Sequence, residues 1–211
     1  MQEYLTVKSE YSGEYTEKRS KFIGVIAPVS DENEAAAQLA KIRAANFGAN
    51  HNVYAYVLKN GSARFSDDGE PHKTAGKPVL DVINGAGLKD VIITVTRYFG
   101  GVLLGTGGLV RAYTVAAKAA VDAADIMRMC ECERFFVACE YSDHAKLLSV
   151  IAANGGTVEN TDFSDRVSLK FVIKCEKTDK FLKAVSENFS SRIKCESQGS
   201  VICPTVLGEN A

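Results

Sequence analysis

A strand, a cluster of glycines and a helix follow one another between residues 91 and 125, and this segment constrains the fold more than any other part of the sequence. Residues 91–96 are apolar enough for a central strand, and residues 108–125 have the spacing of an amphipathic helix. Between and beside them lie Gly100, Gly101, Gly105, Gly107 and Gly108. We therefore expect a tight connection in which the backbone approaches its neighbours closely.

The glycine cluster is also compatible with anion binding, because the free N–H groups of a helix start lie at the positive end of its dipole. It matches neither common phosphate motif. A Gly-Lys-Ser/Thr ending is missing, and Val110 occupies the third glycine position of a dinucleotide fingerprint counted from Gly105. Arg111 is expected in the first turn of the helix, where a cation is unfavourable unless an anion or a carboxylate meets it.

The first half of the chain predicts three further strands and two further helices. The strands are residues 4–15 (with room for a bend at 12–13), 21–28 and 52–58. The longer helix begins after Asp31, a suitable N-cap because Glu34 stands three residues further on, and ends by Gly48. The shorter helix has Pro78 in its first turn and ends at Asn84.

The second half predicts the order strand, helix, strand, strand, helix, strand. The strands are residues 134–140, 157–163, 166–174 and 199–203. Ser142 is the expected cap of the first helix, and residues 180–189 form the second. This β-α-β-β-α-β order is typical of the ferredoxin-like fold, which has no fixed function. The whole chain predicts an α+β protein with domains at residues 1–130 and 131–211, separable near residues 126–133.

Composition narrows the class of protein. A hydrophobic fraction of 46% supports a folded core, and a net charge of −1 gives no overall basic field for nucleic acid. The start of the chain lacks the apolar stretch of a signal peptide, and no window predicts a membrane span. We expect a cytoplasmic protein with no membrane partner, no cofactor and no sequence-specific DNA binding. The six cysteines form no C-x-x-C pair, so we expect reduced core thiols; Cys130 and Cys132 would be half of a metal site whose other half is missing.

Three acids, Asp67, Asp68 and Glu70, stand in the irregular polar stretch 66–77. Their spacing lacks the regularity of a calcium loop, and ion pairing with Arg97 and Arg111 is the simpler hypothesis. We expect Arg97 and these acids to be neighbours, because strand ends and polar loops meet on one rim of such folds.

His51 and Asn52 open the strand before this stretch. A histidine there can serve as a general base, but no nucleophile motif accompanies it, and a structural hydrogen bond is the favoured interpretation.

Four ordered motifs stand out over residues 15–125. They are Arg19-Ser20-Lys21-Phe22, His51-Asn52-Val53-Tyr54-Ala55-Tyr56, Asp67-Asp68-Gly69-Glu70-Pro71 with Thr74-Ala75-Gly76, and Thr96-Arg97-Tyr98-Phe99-Gly100-Gly101 with Gly107-Gly108-Leu109-Val110-Arg111-Ala112-Tyr113. Together they closely resemble the YigZ/IMPACT family, and the second half resembles the second domain of its bacterial branch. His72-Lys73 departs from the Ser-Gly that the family more often has before Thr-Ala-Gly, which changes the bulk and charge of this loop.

The resemblance implies a first domain similar to the second domain of a small-subunit ribosomal protein and a second domain similar to the last domain of elongation factor G. Eukaryotic relatives act in translational control, through an accessory domain that this chain lacks. No catalytic residues carry over from the family.

Two functions from different classes compete. The first is a binding protein linked to translation or its regulation, which contacts RNA, another anionic ligand or a ribosomal or translation-factor partner. The second is a hydrolase acting on an anionic substrate, with His51 and the acids Asp67, Asp68 and Glu70 as acid–base groups; a purely protein-binding regulator is a third interpretation. The candidate binding residues are Arg97, Tyr98, Gly100, Gly101, Gly107, Gly108, Arg111, Lys73, Lys77, His51, Asn52, Asp67, Asp68 and Glu70.

Overall fold

The computed structural model describes residues 3–205, and these fold into two compact units. Among the described residues, one unit covers residues 4–128, and the other comprises Glu3 and residues 129–205. Helices and strands occur in both, which confirms the predicted α+β class with two domains. Among residues 3–205, no helix combines the length and apolar character that crossing a membrane requires.

The first unit is a sheet flanked by helices. Its elements are β1 (Tyr4–Val7), β2 (Tyr11–Glu17), β3 (Ser20–Pro28), α1 (Glu32–Ala45), β4 (His51–Val57), β5 (Ala63–Ser66), α2 (Gly76–Gly85), β6 (Val91–Tyr98) and α3 (Gly105–Asp122). The strand order is β2-β3-β6-β4-β5, and each neighbouring pair is antiparallel. Strand β6 therefore lies at the centre of the sheet.

Both faces of the sheet are covered. Val91, Ile93 and Val95 of β6 pack with buried residues of α2 and α3, whereas Ile92 belongs to a separate cluster with Leu39 of α1. The alternation along β6 thus places successive side chains in two different apolar layers.

Helix α3 packs unusually close to the sheet where it crosses β2 and β3. A Cβ atom on Gly24 would lie 2.3 Å from the carbonyl oxygen of Ala116, and one on Gly13 would lie 2.5 Å from the carbonyl carbon of Ala119. Only glycine permits such an approach of strand backbone to helix backbone.

The second unit has the predicted β-α-β-β-α-β order. Its elements are β7 (Ile126–Cys139), α4 (Tyr141–Ala153), β8 (Thr157–Phe163), β9 (Val167–Lys174), a short 3-10 helix (Cys175–Lys177), α5 (Thr178–Phe189) and β10 (Glu196–Thr205). Strand β9 lies between β7 and β8, and β10 also pairs with β7. Phe135, Phe171 and Phe181 form the centre of its apolar core.

The six cysteines are free thiols, and their environments differ. Cys130, Cys132 and Cys203 pack together in a small buried cluster, and burial raises the pKa of Cys132 above its usual range. The expectation of core thiols is wrong for Cys175, which is exposed.

Several boundaries differ from those predicted. The first strand is divided at residues 8–10 rather than bent at 12–13, and the short edge strand β5 was not predicted. Helix α4 is capped by Glu140 without a side-chain hydrogen bond, so Ser142 is not its cap. Helix α3 begins at Gly105 rather than at residue 108, so its first turn contains Gly105, Gly107 and Gly108.

Candidate binding cleft

In the loop between β5 and α2, acidic side chains accept hydrogen bonds from nearby backbone N–H groups. We call residues 67–75 the acid loop. The Asp67 carboxylate accepts hydrogen bonds from the backbone N–H groups of Lys73 at 2.8 Å, Ala75 at 3.1 Å and Gly76 at 2.8 Å. Asp67 therefore fixes the path of the loop into α2, and its oxygens are already occupied.

Asp68 ties the acid loop to α1 and to β4. One carboxylate oxygen is 2.7 Å from Arg43 Nη2, and the other accepts the Asn52 backbone N–H at 2.7 Å. The His51 Nδ1 atom lies 2.8 Å from the Asp68 carbonyl oxygen, which can only accept a hydrogen bond. Like Asp67, Asp68 thus has a structural role in this arrangement.

Glu70 and Arg97 form a buried ion pair. Arg97 Nη1 lies 2.6 Å from Glu70 Oε1, and their side chains are 7% and 4% exposed. The Tyr113 hydroxyl donates to the same oxygen at 2.7 Å, and burial together with the Glu70 charge raises the pKa of Tyr113 well above its usual range. This contact confirms that Arg97 and the acid loop are neighbours.

The Arg97 guanidinium lies between two aromatic rings. Its central carbon is 5.4 Å from the centre of the Phe22 ring and 5.5 Å from that of Phe99. Its Nε atom is buried and has no hydrogen-bond partner among the described residues. The cation is thus held by aromatic faces and by Glu70, and its charge is largely offset within the fold.

The position of the His51 proton follows from its neighbours. Because Nδ1 donates to the Asp68 carbonyl, the lone pair of the neutral ring lies on Nε2, which is 3.8 Å from Glu70 Oε1. This supports the predicted structural hydrogen bond of His51.

These polar groups form one side of a cleft with a volume of ≈ 490 Å³. The cleft is lined by Asn50, His51, Glu70, Pro71, Arg97, Phe99, Leu103, Leu104, Gly105, Thr106 and Leu109. Its apolar wall comes from Phe99, Leu103, Leu104 and Leu109. The sequence analysis did not predict this wall, although the apolar residues among the glycines of residues 99–109 could have indicated it.

The first turn of α3 opens on this cleft. Leu104 is the N-cap residue and supplies no side-chain hydrogen bond to the helix start. Gly105 and Thr106 line the cleft, so backbone N–H groups without a side-chain cap are available there. Gly107 and Gly108 lie in the same first turn.

Tyr98, Asn52 and Lys77 are not among the residues that line the cleft, and their side chains have partners within the fold. The Tyr98 hydroxyl donates to Asn46 at 2.8 Å, the Asn52 side chain accepts from Thr96 at 2.9 Å, and Lys77 pairs with Asp81.

The positions of Gly100 and Gly101 explain their residue type. A Cβ on Gly100 would lie 2.1 Å from the Arg19 carbonyl carbon, and Gly101 has a φ of +84°. Lys73 is exposed, with a φ of +60°.

Arg111 does not occupy the predicted position. It is exposed in the second turn of α3, not the first, and it does not line the cleft. The structure therefore joins Arg97 to the acids and leaves Arg111 outside that group. Within residues 3–205, no cluster of three or more acidic, cysteine or histidine side chains has the arrangement of a metal site.

The two domains match two family models. Residues 18–121 match the Impact N-terminal domain, and residues 137–192 match a domain of unknown function, DUF1949. The first match contains the whole cleft.

Three relatives match this chain over most of its length. The chain is 31% identical to IMPACT family member YvyE of Bacillus subtilis over 90% of both chains, and 33% identical to IMPACT family member YigZ of Escherichia coli over 78% of this chain and 82% of that one. A crystal structure of a hypothetical protein covers 94% of this chain and 98% of its own at 28% identity, with a TM-score of 0.63. The protein belongs to the IMPACT family.

Proposed function

We propose that the protein is a cytoplasmic binding protein linked to translation or its regulation, and that its cleft receives an anionic group of RNA or of a translation-related partner. The observation that carries the proposal is the uncapped start of α3, which opens on a cleft with an apolar wall. Free N–H groups and the positive end of the helix dipole favour an anion at such a place.

Family membership supports the link to translation. The resemblance described above implies that eukaryotic members act in translational control. It also implies that the first domain is similar to the second domain of a small-subunit ribosomal protein, and the second domain to the last domain of elongation factor G. Both similarities form part of the proposal, since factors and ribosomal proteins of these kinds work beside RNA.

The two arginines have different parts in this proposal. Because Arg97 already pairs with Glu70, it supports the cleft from within and holds Phe99, rather than contacting a phosphate independently. Arg111 and Lys73 do not line the cleft, so they contribute to the electrostatic field around it rather than to contacts inside it.

The hydrolase alternative loses much of its support. Two of its three acids, Asp67 and Asp68, are held by backbone N–H groups, and Glu70 is paired with Arg97. His51 Nε2 remains available as a base, but no activated nucleophile accompanies it among the described residues that line the cleft.

The test is a charge change at the start of α3. Thr106 is exposed and lines the cleft, so Thr106→Glu places a negative charge beside the N–H groups, and Thr106→Gln is a control of equal size. We expect Thr106→Glu to weaken binding of a fluorescent single-stranded RNA by about threefold to tenfold relative to Thr106→Gln.

Fluorescence anisotropy at several salt concentrations measures this effect. If RNA binds and the two variants bind it equally, the cleft is not its site. If the wild type binds neither RNA nor ribosomal or translation-factor partners from cytosol, the proposed function is wrong.

A further inference from the structure

Apolar side chains are exposed at and beside the cleft. Leu103 is 82% exposed, Phe99 is 44% exposed and Val102 is 40% exposed. Leu103 and Phe99 also line the cleft, together with Leu104 and Leu109. Apolar side chains that line a recess and still face water gain free energy when a partner covers them. The cleft therefore has the apolar centre that a protein interface requires.

Basic residues lie in two segments next to this apolar centre. The hairpin turn between β2 and β3 consists of Lys18 and Arg19, and the next residue, Ser20, accepts the Gly100 backbone N–H at 3.1 Å. Lys73 belongs to the acid loop, which also contributes residues to the lining. We call Lys18, Arg19 and Lys73 the rim cations. All three are exposed, and among residues 3–205 no ion pair or side-chain hydrogen bond involves them.

The backbone conformation at the rim cations disfavours the residues that occupy it. Lys18, Arg19 and Lys73 have φ angles of 45°, 65° and 60°. A two-residue hairpin turn with two positive φ angles favours Asn-Gly, and lysine or arginine is less stable there. The fold described above contains no side-chain contact that compensates for this choice. Strained residues without a structural role indicate a function outside the fold.

The acidic residues of the same region already have partners. Glu70 pairs with Arg97. Asp68 pairs with Arg43, and the Asp67 carboxylate accepts three backbone N–H groups. The rim cations therefore keep a positive field at the surface, and such a field attracts acidic groups of a partner.

We infer that the cleft is a docking site for an acidic protein segment, which packs an apolar side chain against Phe99 and Leu103 and places carboxylates beside the rim cations. This inference rests on the proposed function and names the class of its partner. An apolar centre within a polar rim is the usual arrangement of a protein interface. RNA fits less well, because its backbone needs basic side chains in a row, and Glu70 already offsets the lining cation Arg97.

Short synthetic peptides test the apolar and the acidic requirement separately. The probe is a fluorescent peptide of aspartate and glutamate with a central Leu-Phe pair. One control has Ser-Ser in place of Leu-Phe, and the other has lysine in place of every acid. In fluorescence anisotropy with the full chain, we expect the probe to bind at least about fivefold more tightly than either control. Binding of the probe no tighter than that of the Ser-Ser control would overturn the inference.

Two exposed apolar side chains provide a matched pair of variants. Leu103→Ser should weaken binding of the Leu-Phe probe by about fivefold, because it removes part of the apolar centre. Phe47→Ser should leave the affinity unchanged, since Phe47 is 94% exposed but does not line the cleft. If Leu103→Ser binds the probe as tightly as the wild type does, the apolar side chain does not dock there.

The hairpin turn allows a test that a structural role would not pass. The double variant Lys18→Asn with Arg19→Gly introduces the residues that this backbone favours. We expect its melting temperature to rise by a few degrees and its affinity for the Leu-Phe probe to fall by about fivefold. A fall in melting temperature would show that the two cations stabilise the fold. Unchanged affinity would show that they do not meet the carboxylates.

A short oligouridine separates this inference from the proposed function. If oligouridine binds, Thr106→Glu weakens it relative to Thr106→Gln, and the Leu-Phe probe does not bind, the inference is wrong and the proposed function stands. If neither the probe, RNA nor a ribosomal or translation-factor partner binds, both are wrong.

Discussion

The acid loop and the glycine segment (residues 99–108) lie beside the same cleft, yet they differ in what their polar groups already bind. In the acid loop, the carboxylates of Asp67 and Asp68 accept backbone N–H groups, and Glu70 is buried against Arg97. In the glycine segment, α3 starts without a side-chain cap and Leu103 is 82% exposed. The carboxylates of the acid loop therefore stabilise the fold, whereas the glycine segment supplies the surface that is open to a partner.

The difference shows that charged residues in a motif indicate function only when their hydrogen-bonding capacity is free. Carboxylates with two or three backbone donors stabilise the loop that carries them. Exposed leucine and uncapped N–H groups gain more from a partner than from water. Substitutions of the acid-loop carboxylates should therefore change stability, and substitutions of the exposed side chains of the glycine segment should change binding.

The largest effect is expected for Glu70→Ala. It leaves the Arg97 charge buried without its partner, so we expect the free energy of unfolding to fall by about 3–5 kcal/mol. Urea unfolding followed by circular dichroism measures it. The double variant Glu70→Gln with Arg97→Met, which removes both charges, should be less destabilised than Glu70→Ala. A loss below about 1 kcal/mol for Glu70→Ala would mean that the pair is not buried as described.

Gly100→Ala tests the tightest contact of the glycine segment. Its Cβ would lie 2.1 Å from the Arg19 carbonyl carbon, so backbone must move and we expect a loss of roughly 3 kcal/mol. The melting temperature of the variant should fall by more than 10 °C, or the variant should fail to fold at all. A variant as stable as the wild type would show that this stretch of backbone adjusts freely.

Asp67→Ala removes one acceptor from three backbone N–H groups. The half-exposed position allows water to replace part of the interaction, so we expect a loss of about 2 kcal/mol. Lys73→Ala is the matched control in the same loop, because the Lys73 side chain is exposed and only its backbone N–H contacts Asp67. Equal melting temperatures for the two variants would contradict the structural role of Asp67.

The smallest effect, of opposite sign, is expected for Gly107→Ala. Gly107 lies in the first turn of α3, and a Cβ there would meet no atom within 4 Å. Alanine should therefore stabilise the helix by about 0.5–1 kcal/mol, seen as a rise in melting temperature of a few degrees. A decrease would show that the glycine is required for its conformation and would weaken the contrast with Gly100.

Local sequence patterns predicted much of the fold but less of the candidate site. Alternation predicted β9 within one residue and helical spacing predicted α5 within two residues, since each has a clear apolar face. Strand β5 was missed because it is a four-residue edge strand with no buried residue. The Arg97 contact with the acids was predictable from the topology of strand ends, whereas the third partner, Tyr113, comes from α3 and depends on how that helix packs.

The close packing at Gly13 and Gly24 has a consequence for affinity. Because the backbone of α3 touches that of β2 and β3 without an intervening side chain, the helix has little freedom to slide or tilt relative to the sheet. The first turn of α3 is therefore held in its place beside Phe99 before any ligand arrives. The conformational entropy of orienting the backbone N–H donors of this turn is lost when the domain folds. The binding free energy of a ligand with few contacts therefore does not have to compensate for that loss.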